Sequence, residues 1–438
     1  MASLSKEQIE AVGLLSIGTF LEYFDLMLYI HMAVLLNELF FPKYDPYTAS
    51  LVTAFAFCST YLLRPVGALI FGYIGDNIGR KITVIITTTM MAISCVVMAT
   101  LPTYAEIGIT ASWLVTICRM AQGMSSMGEV IGAELYVTEI TKPPIQYPAV
   151  AMITIFSSLG GFAALAVASF ATNTGFSWRI AFFIGALIAV IGAVARTRLR
   201  ETPEFADAKR RIKNTIKKGG YDPNSIDSSP ITQEKVKIKS SISLFLIQCA
   251  WPVCFYFNYF YCGDILKNSF GFTAAQVIHQ NLIVSIGQVL SFIIWTYLSY
   301  YIYPLLLLRI KLVIFSIIAL LFPYFLNNLT SAHDLLILQM IMIMFSLSYS
   351  SAMPIFYKHF PVFKRFTYAS VLYALSRMII YLITSFGLIY FANYYGNFGI
   401  LVIIIPVILG FAFGLNHFEN LEKEVGNYPQ KNLQGVKN

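Results

Sequence analysis

The sequence predicts an all-α membrane protein with twelve transmembrane helices in two pseudo-symmetric halves of six. Three observations predict it. Charged residues are 12% of the 438, and hydrophobic residues are 57%. A soluble domain carries about 25% charged residues, and a chain this long cannot solvate its surface with half that share. Second, apolar stretches recur at about the 20 residues that a ~30 Å hydrocarbon core demands. Third, one long polar segment divides the series into six and six.

The apolar stretches fall near 11–36, 49–74, 82–101, 112–138, 148–171, 180–198, 241–266, 276–298, 305–326, 334–354, 367–391 and 399–415. Each is apolar on all faces, so each reads as a helix. Lipid offers no partner for backbone groups, and strands of a barrel alternate at period two. The expected organisation is an N-terminal bundle over 1–198, a linker over 199–240, a C-terminal bundle over 241–415 and a tail over 416–438. The linker is basic and broken by Pro203, Gly219, Gly220, Pro223 and Pro230. The first apolar stretch lacks a small-residue cleavage site and exceeds a signal-peptide core, so it reads as a retained span.

Charge placement sets the orientation. With the N-terminus cytoplasmic, only Lys43, Arg179 and Lys267 of the 30 Lys and Arg lie in outer loops. Arg64, Arg119 and Arg377 lie within spans, and the rest are cytoplasmic. That is the positive-inside pattern, so both termini are expected inside. It also explains the net charge of +8 without nucleic acid. The six cysteines sit in apolar stretches without C-x-x-C spacing and read as packed thiols. No phosphate loop, nucleophile–base set or metal cluster is present in the sequence, so no enzyme, cofactor or metal is expected.

Three motifs carry function. Gly72-Tyr-Ile-Gly75-Asp76-Asn-Ile-Gly79-Arg80-Lys81 follows the second span. Its glycines permit a tight turn and close helix approach. Asp76 and Arg80 sit at the membrane edge and suit a conformational latch, with Glu139 as a candidate partner. In span four, Arg119-Met-Ala-Gln122-Gly123 places an arginine inside the bilayer, at a cost of roughly 2.5–3.5 kcal/mol or more unless it is paired or solvated. At 100° per residue, Arg119, Gln122, Ser126, Glu129 and Ala133 share one stripe. It reads as a polar seam on a cavity, or else as an internal structural pair. In span one, Glu22, Asp25 and Tyr29 share a face. Hydrocarbon penalises their charge, which suits proton carriage; pairing with an arginine of span two or four is the structural alternative.

The first motif resembles the signature loop of the major facilitator superfamily. The narrower resemblance is to its metabolite–proton symporter family, which includes proline/betaine, α-ketoglutarate, citrate and shikimate carriers. It rests on Gly18-Thr-Phe-Leu-Glu22-Tyr-Phe-Asp25, Phe40-Phe-Pro-Lys-Tyr-Asp45-Pro46, Arg64-Pro65-Val-Gly67, Cys118-Arg119-Met-Ala-Gln122-Gly123 with Gly128-Glu129, Trp178-Arg179-Ile-Ala-Phe-Phe and Arg200-Glu201-Thr-Pro203-Glu204-Phe205. It covers residues 11 to about 206 closely. Thr19 stands where the family has Asn. The C-terminal half departs further: the counterpart of the signature loop, Trp295 to Pro304, has lost its charges. Phe360-Pro361 and Lys364-Arg365 keep a trace of the loop before span eleven.

The resemblance implies the major facilitator fold, alternating access and import by proton symport. Glu22, Asp25, Arg64, Arg119, Gln122, Glu129 and Arg377 are the expected coupling and cavity residues. Gly72, Asp76, Gly79, Arg80 and Glu139 are the expected latch. Three intramembrane guanidiniums favour a carboxylate-bearing or zwitterionic solute, unless they serve only to pair Glu22, Asp25, Glu129 and Asp264. Span seven is dense in aromatics from Trp251 to Tyr261. They read as a cage for a quaternary ammonium or as composition alone. Expected partners are a small organic solute, a proton and membrane lipid, with a monomer in a bacterial inner membrane. Proton-coupled efflux and a non-transporting sensor are the rival readings.

Overall fold

A computed structural model describes residues 4–42, 46–77, 80–126, 129–173, 177–197 and 236–429. Gly79, and the side chains at Gly72, Asp76, Arg80 and Glu129, lie outside the described residues, as do 198–235 of the expected linker and 430–438 of the tail.

All regular structure among the described residues is helical. The spanning elements are α1 (Lys6–Phe40), α2 (Pro46–Leu62 and Arg64–Asn77), α3 (Arg80–Thr100), α4 (Ile109–Ser125 and Glu129–Ile140), α5 (Gln146–Asn173) and α6 (Arg179–Thr197). The second six are α7 (Ile238–Gln248, Ala250–Tyr256, a π turn Phe257–Tyr261, and Cys262–Phe270), α8 (Ala274–Tyr301), α9 (Pro304–Asn327), α10 (Ala332–Met344, a 3-10 turn Ser350–Ala352, and Met353–Lys358), α11 (Val362–Tyr395) and α12 (Ile400–Val425). By length and composition alone, seven described stretches suffice to cross a membrane, with Arg365–Val425 taken as one. Thr89–Thr100, Arg179–Ile188 and Ala332–Met344 are shorter apolar helices.

Local signals set the ends. Capping boxes start α1 (Ser5 with Gln8), α8 (Thr273 with Gln276) and α10 (Ser331 with Asp334). Each satisfies two of the donors that a helix start leaves open. Gly271, at φ 69°, ends α7 in the left-handed region, where glycine carries no Cβ penalty. The outward face is apolar, as lipid requires: Leu69, Trp113, Leu187 and Leu409 are all exposed.

The two six-helix bundles meet along α2 with α11 and α5 with α8. Within the first bundle, packing rests on small residues. A Cβ on Gly123 of α4 would lie 1.7 Å from the Thr60 carbonyl oxygen of α2. One on Gly160 of α5 would lie 2.3 Å from the Phe20 carbonyl oxygen of α1. These helices touch backbone to backbone, the usual source of packing energy where lipid removes the hydrophobic drive.

The breaks have covalent causes. Pro65 follows Leu63 and Arg64, where α2 is interrupted, and Pro252 follows the interruption of α7 at Cys249. A proline lacks the N–H that would reach the carbonyl four residues back. Tyr61 and Gln248 therefore keep carbonyls without a helical partner, and both breaks lie beside the central cavity.

The glycine contact makes a direct prediction. Gly123→Ala forces α2 and α4 apart and costs about 1–3 kcal/mol of overpacking or more. The thermal midpoint in detergent should fall by several degrees, and an unchanged melt would contradict backbone contact at this crossing.

Candidate functional site

A central cavity lies between the halves and encloses about 990 Å³ of non-atom space, its open mouth included. Its wall takes Tyr23, Met27 and His31 from α1, Tyr61 and Arg64 from α2, Glu134 from α4, and Ser157 and Ser158 from α5. The other half supplies Trp251, Phe255 and Tyr259 from α7, Gln288 from α8, Ser348 to Ser350 from α10, and Tyr373, Arg377 and Tyr381 from α11.

Two of the three expected guanidiniums reach this cavity. Arg64 begins the second piece of α2 and packs over Tyr61, 4.4 Å from the ring centroid. Its Nε and Nη2 are buried without a hydrogen-bond partner among the described residues. Arg377 is more fully engaged. Its Nη1 donates to the Gln248 carbonyl at 2.6 Å, the one that Pro252 leaves free. Its Nη2 donates to Tyr349 Oη at 2.9 Å, and Tyr373 lies beneath it at 4.3 Å. Asp264 is not among its partners.

Arg119 does not line the cavity. It is fully buried, 3.9 Å from the Tyr29 ring centroid, and its Nη1 donates to Gln122 Oε1 at 3.1 Å. Gln122 in turn reaches Cys95 of α3 at 3.6 Å. The stripe drawn through Ala133 presumed an unbroken helix, but α4 stops at Ser125 and resumes at Glu129. The Arg119 seam therefore faces α1 and α3 inside the first bundle. Glu22 and Asp25 are also buried. Asp25 Oδ1 approaches α6, 3.3 Å from the position of a Cβ on Gly185. Their neighbours Tyr23 and Leu26 form the wall instead.

Sequence reading passed over several residues of this region. Glu134 is buried on the cavity wall and accepts from Tyr357 Oη of α10 at 2.7 Å. The signal was available: a carboxylate stands inside the apolar run Val130–Val137. Gln288 accepts from Tyr259 at 2.8 Å and donates to Ser158 of α5 at 3.0 Å, joining the halves. The π turn of α7 frees carbonyls that neighbouring helices take up: Gln339 donates to Asn258 and Asn281 to Tyr259. The aromatics of α7 divide by face. Trp251, Phe255 and Tyr259 meet the cavity, whereas Tyr256 and Phe260 pack with Phe57 and Phe257 packs on Phe322.

Polar contacts cross between halves on both sides of the cavity. On the face where α1 begins and α12 ends, Arg365 Nη1 pairs with Glu139 Oε1 at 3.4 Å, and Lys358 donates to Gln146 at 2.8 Å. Glu139 thus meets the charged trace before α11, while the Arg80 side chain lies outside the described residues. On the opposite face, Lys267 bridges Glu38 and His279 meets Ser169 at 3.3 Å.

The lost C-terminal signature loop has a local replacement. Beyond the apolar part of α12, Glu422 accepts from Tyr303 Oη at 2.6 Å and faces His359 Nε2 at 2.7 Å. Arg309 chelates Glu419 and Asn416. Tyr147 of the first half packs edge-on against Tyr303. One carboxylate therefore ties the α8–α9 turn, the end of α10 and α12 together.

A model for the major facilitator superfamily matches residues 15–380. The chain belongs to the major facilitator superfamily, a family of transporters rather than enzymes. The proline/betaine transporter of Salmonella typhimurium is 30% identical over 287 residues, covering 64% of this chain and 57% of that protein. The inner membrane metabolite transport protein YhjE of Escherichia coli is 37% identical over 210 residues, 45% and 47% of the two chains. The citrate-proton symporter of Klebsiella pneumoniae is 31% identical over 219 residues, 48% and 49% of the two. The chain spans about half the length of the curated relatives it matches. The solved structure of the proton:xylose symporter XylE bound to 6-bromo-6-deoxy-D-glucose superposes with a TM-score of 0.74 at 15% identity, over 94% of this chain and 98% of that one. That likeness establishes the fold: twelve helices in two bundles of six.

Glu422 yields a pH-dependent prediction. Burial pushes its carboxyl up, but hydrogen bonds from His359 and Tyr303 outweigh this and hold it below the ordinary value. A depressed carboxylate stabilises the fold fully above its unfolded value, and the gain is lost as pH falls through the folded one. Glu422→Gln should therefore cost about 1–3 kcal/mol at pH 7, the worth of hydrogen bonds to a charged group. The deficit should shrink as pH falls below about 4.5, the ordinary glutamate value. Thermal melts at several pH values check it; a deficit of constant size would contradict it.

Proposed function

We propose that the protein is a secondary transporter that imports a small carboxylate-bearing or zwitterionic organic solute with protons. The cavity arginines carry this reading. Arg64 presents buried N–H groups with no partner among the described residues, and Arg377 stands across the same cavity. A buried guanidinium with donors to spare favours a carboxylate, which it binds bidentately. Trp251, Phe255 and Tyr259 offer aromatic faces for an ammonium or apolar end. Relatives named for proline, betaine and citrate transport handle solutes of this chemistry.

In this reading Glu22, Asp25, Arg119, Gln122 and Glu129 serve proton coupling, within or beside the first bundle and away from the solute. Gly72, Asp76, Gly79, Arg80 and Glu139 form the latch on the terminal face, and the Glu139–Arg365 pair supports that part. The latch breaks as the halves rock about the midplane site. The charge pattern favours a multi-pass protein of a bacterial inner membrane with that face cytoplasmic. The bundle is self-contained and is expected to act as a monomer.

The test is uptake in proteoliposomes from a panel of proline, glycine betaine, citrate and sugars. Carboxylate-bearing solutes should accumulate with an inward proton gradient and lose accumulation with a protonophore. Arg377→Lys should raise KM about tenfold or more, since it forfeits a charge-assisted fork. Solute-driven acidification of everted vesicles would assign efflux. Saturable binding without flux of any panel member would assign a sensor.

A further inference from the structure

Lys311, which the charge count assigns to the cytoplasmic side, is a buried cation within an apolar helix. It lies on α9 and is 2% exposed. It forms no ion pair among the described residues. Its Nζ donates instead to the Ser348 carbonyl at 3.0 Å and to Ser348 Oγ. Trp295 of α8 lies alongside, with its ring centroid 5.1 Å from Nζ.

These contacts converge on the break in α10. The helix stops at Met344 and resumes only at Ser350, which leaves orphan carbonyls at a helix C-terminus. Ser291 Oγ and Trp295 Nε1 both donate to the Met344 carbonyl, at 2.8 and 2.9 Å. Lys311 serves another carbonyl within the break, at Ser348. The surrounding hydrocarbon makes internal satisfaction of such carbonyls compulsory. A neutral side chain would fill the space. The ammonium supplies several donors from one atom, which a broken backbone needs.

The residue after Ser348 is Tyr349, whose hydroxyl accepts from Arg377. Ser348, Tyr349 and Arg377 all line the central cavity. We propose that Lys311 is a positioning residue for the solute site: it holds the break of α10 in place so that Tyr349 fixes the Arg377 guanidinium. The proposal rests on the transport reading for its kinetic consequence, not for its geometry.

Two measurements separate those dependencies. The first needs no solute. Ser350→Cys places a thiol at the break, against native cysteines that are all buried. Its alkylation rate should rise at least threefold when Lys311→Met is added, and Lys311→Arg should restore most of the protection. An unchanged rate overturns the proposal whatever the protein transports. The second is uptake kinetics. Lys311→Met should raise KM about tenfold, as the loss of one charge-assisted hydrogen bond does, with Vmax within about threefold of the parent. Combined with Tyr349→Phe, its effect should be less than additive, because both act through one chain of contacts. Additive effects, or a Vmax loss at constant KM, overturn the proposal. Should Lys311→Met not assemble, Trp295→Phe keeps the ring and removes one donor to the break, and the same thiol should gain reactivity; no gain there is equally a refutation. Parent protein silent on every solute, with the thiol still protected by Lys311, fails the transport reading alone.

Discussion

Inside hydrocarbon no water satisfies a backbone N–H or C=O, so any departure from a continuous helix needs side chains as substitutes. The rest of this structure depends on that constraint. Four of the helices that meet the cavity are interrupted: α2 at Leu63, α4 after Ser125, α7 at Cys249 and again at its π turn, and α10 after Met344. Interruptions are tolerated at membrane depth only where they are buried in protein or face a cavity. At α7 and α10 side chains meet the carbonyls beside the interruptions: Arg377 on Gln248, Gln339 on Asn258, Asn281 on Tyr259, Ser291 and Trp295 on Met344, Lys311 on Ser348. Polar residues that look extravagant in an apolar helix are the other half of a broken backbone.

The same accounting separates what holds each bundle together from what joins the two. Inside the first bundle, Gly123 and Gly160 bring backbones into contact, and a single added methyl is excluded. Between bundles, described polar links are single hydrogen bonds or partly exposed pairs, such as Arg365 with Glu139 and Lys267 with Glu38. Partly exposed pairs contribute about 0–1 kcal/mol each. Close packing of glycine against backbone does not rearrange in small steps, whereas weak polar links exchange readily. Rigid halves with replaceable contacts on both sides of a cavity are what rocking requires.

Much of this was legible in the sequence. Twelve apolar stretches and the placement of charge sufficed for the fold, because a membrane span is specified by length and composition. The depth of Arg64 and Arg377 could be counted along their helices. What escaped was anything dependent on rotation or on breaks. Arg119 reads as part of a seam on a cavity, whereas its contacts with Tyr29 and Gln122, and through Gln122 with Cys95, lie inside the first bundle. Glu134 and Lys311 were passed over although each stands in an apolar run, because attention followed motifs rather than isolated charges. The Asn and Gln of α7, α8 and α10 belong to no motif; their role depends on carbonyls that only the three-dimensional breaks expose.

The asymmetry between halves also takes a different form. The C-terminal signature loop has lost its charges, which from sequence alone resembles decay. Yet the position is not vacant. Tyr303 occupies the turn, and its hydroxyl joins His359 on Glu422, with Arg309 and Glu419 one helical turn away. The anchoring carboxylate of this face stands on α12, which extends past its apolar part to Val425. A carboxylate on the final helix gathers three elements, α8–α9, α10 and α12, and leaves Arg365 free to reach across to Glu139. The first half keeps its charged loop, the second braces itself internally, and the described contacts between them on this face include Arg365 with Glu139, Lys358 with Gln146 and Tyr303 with Tyr147.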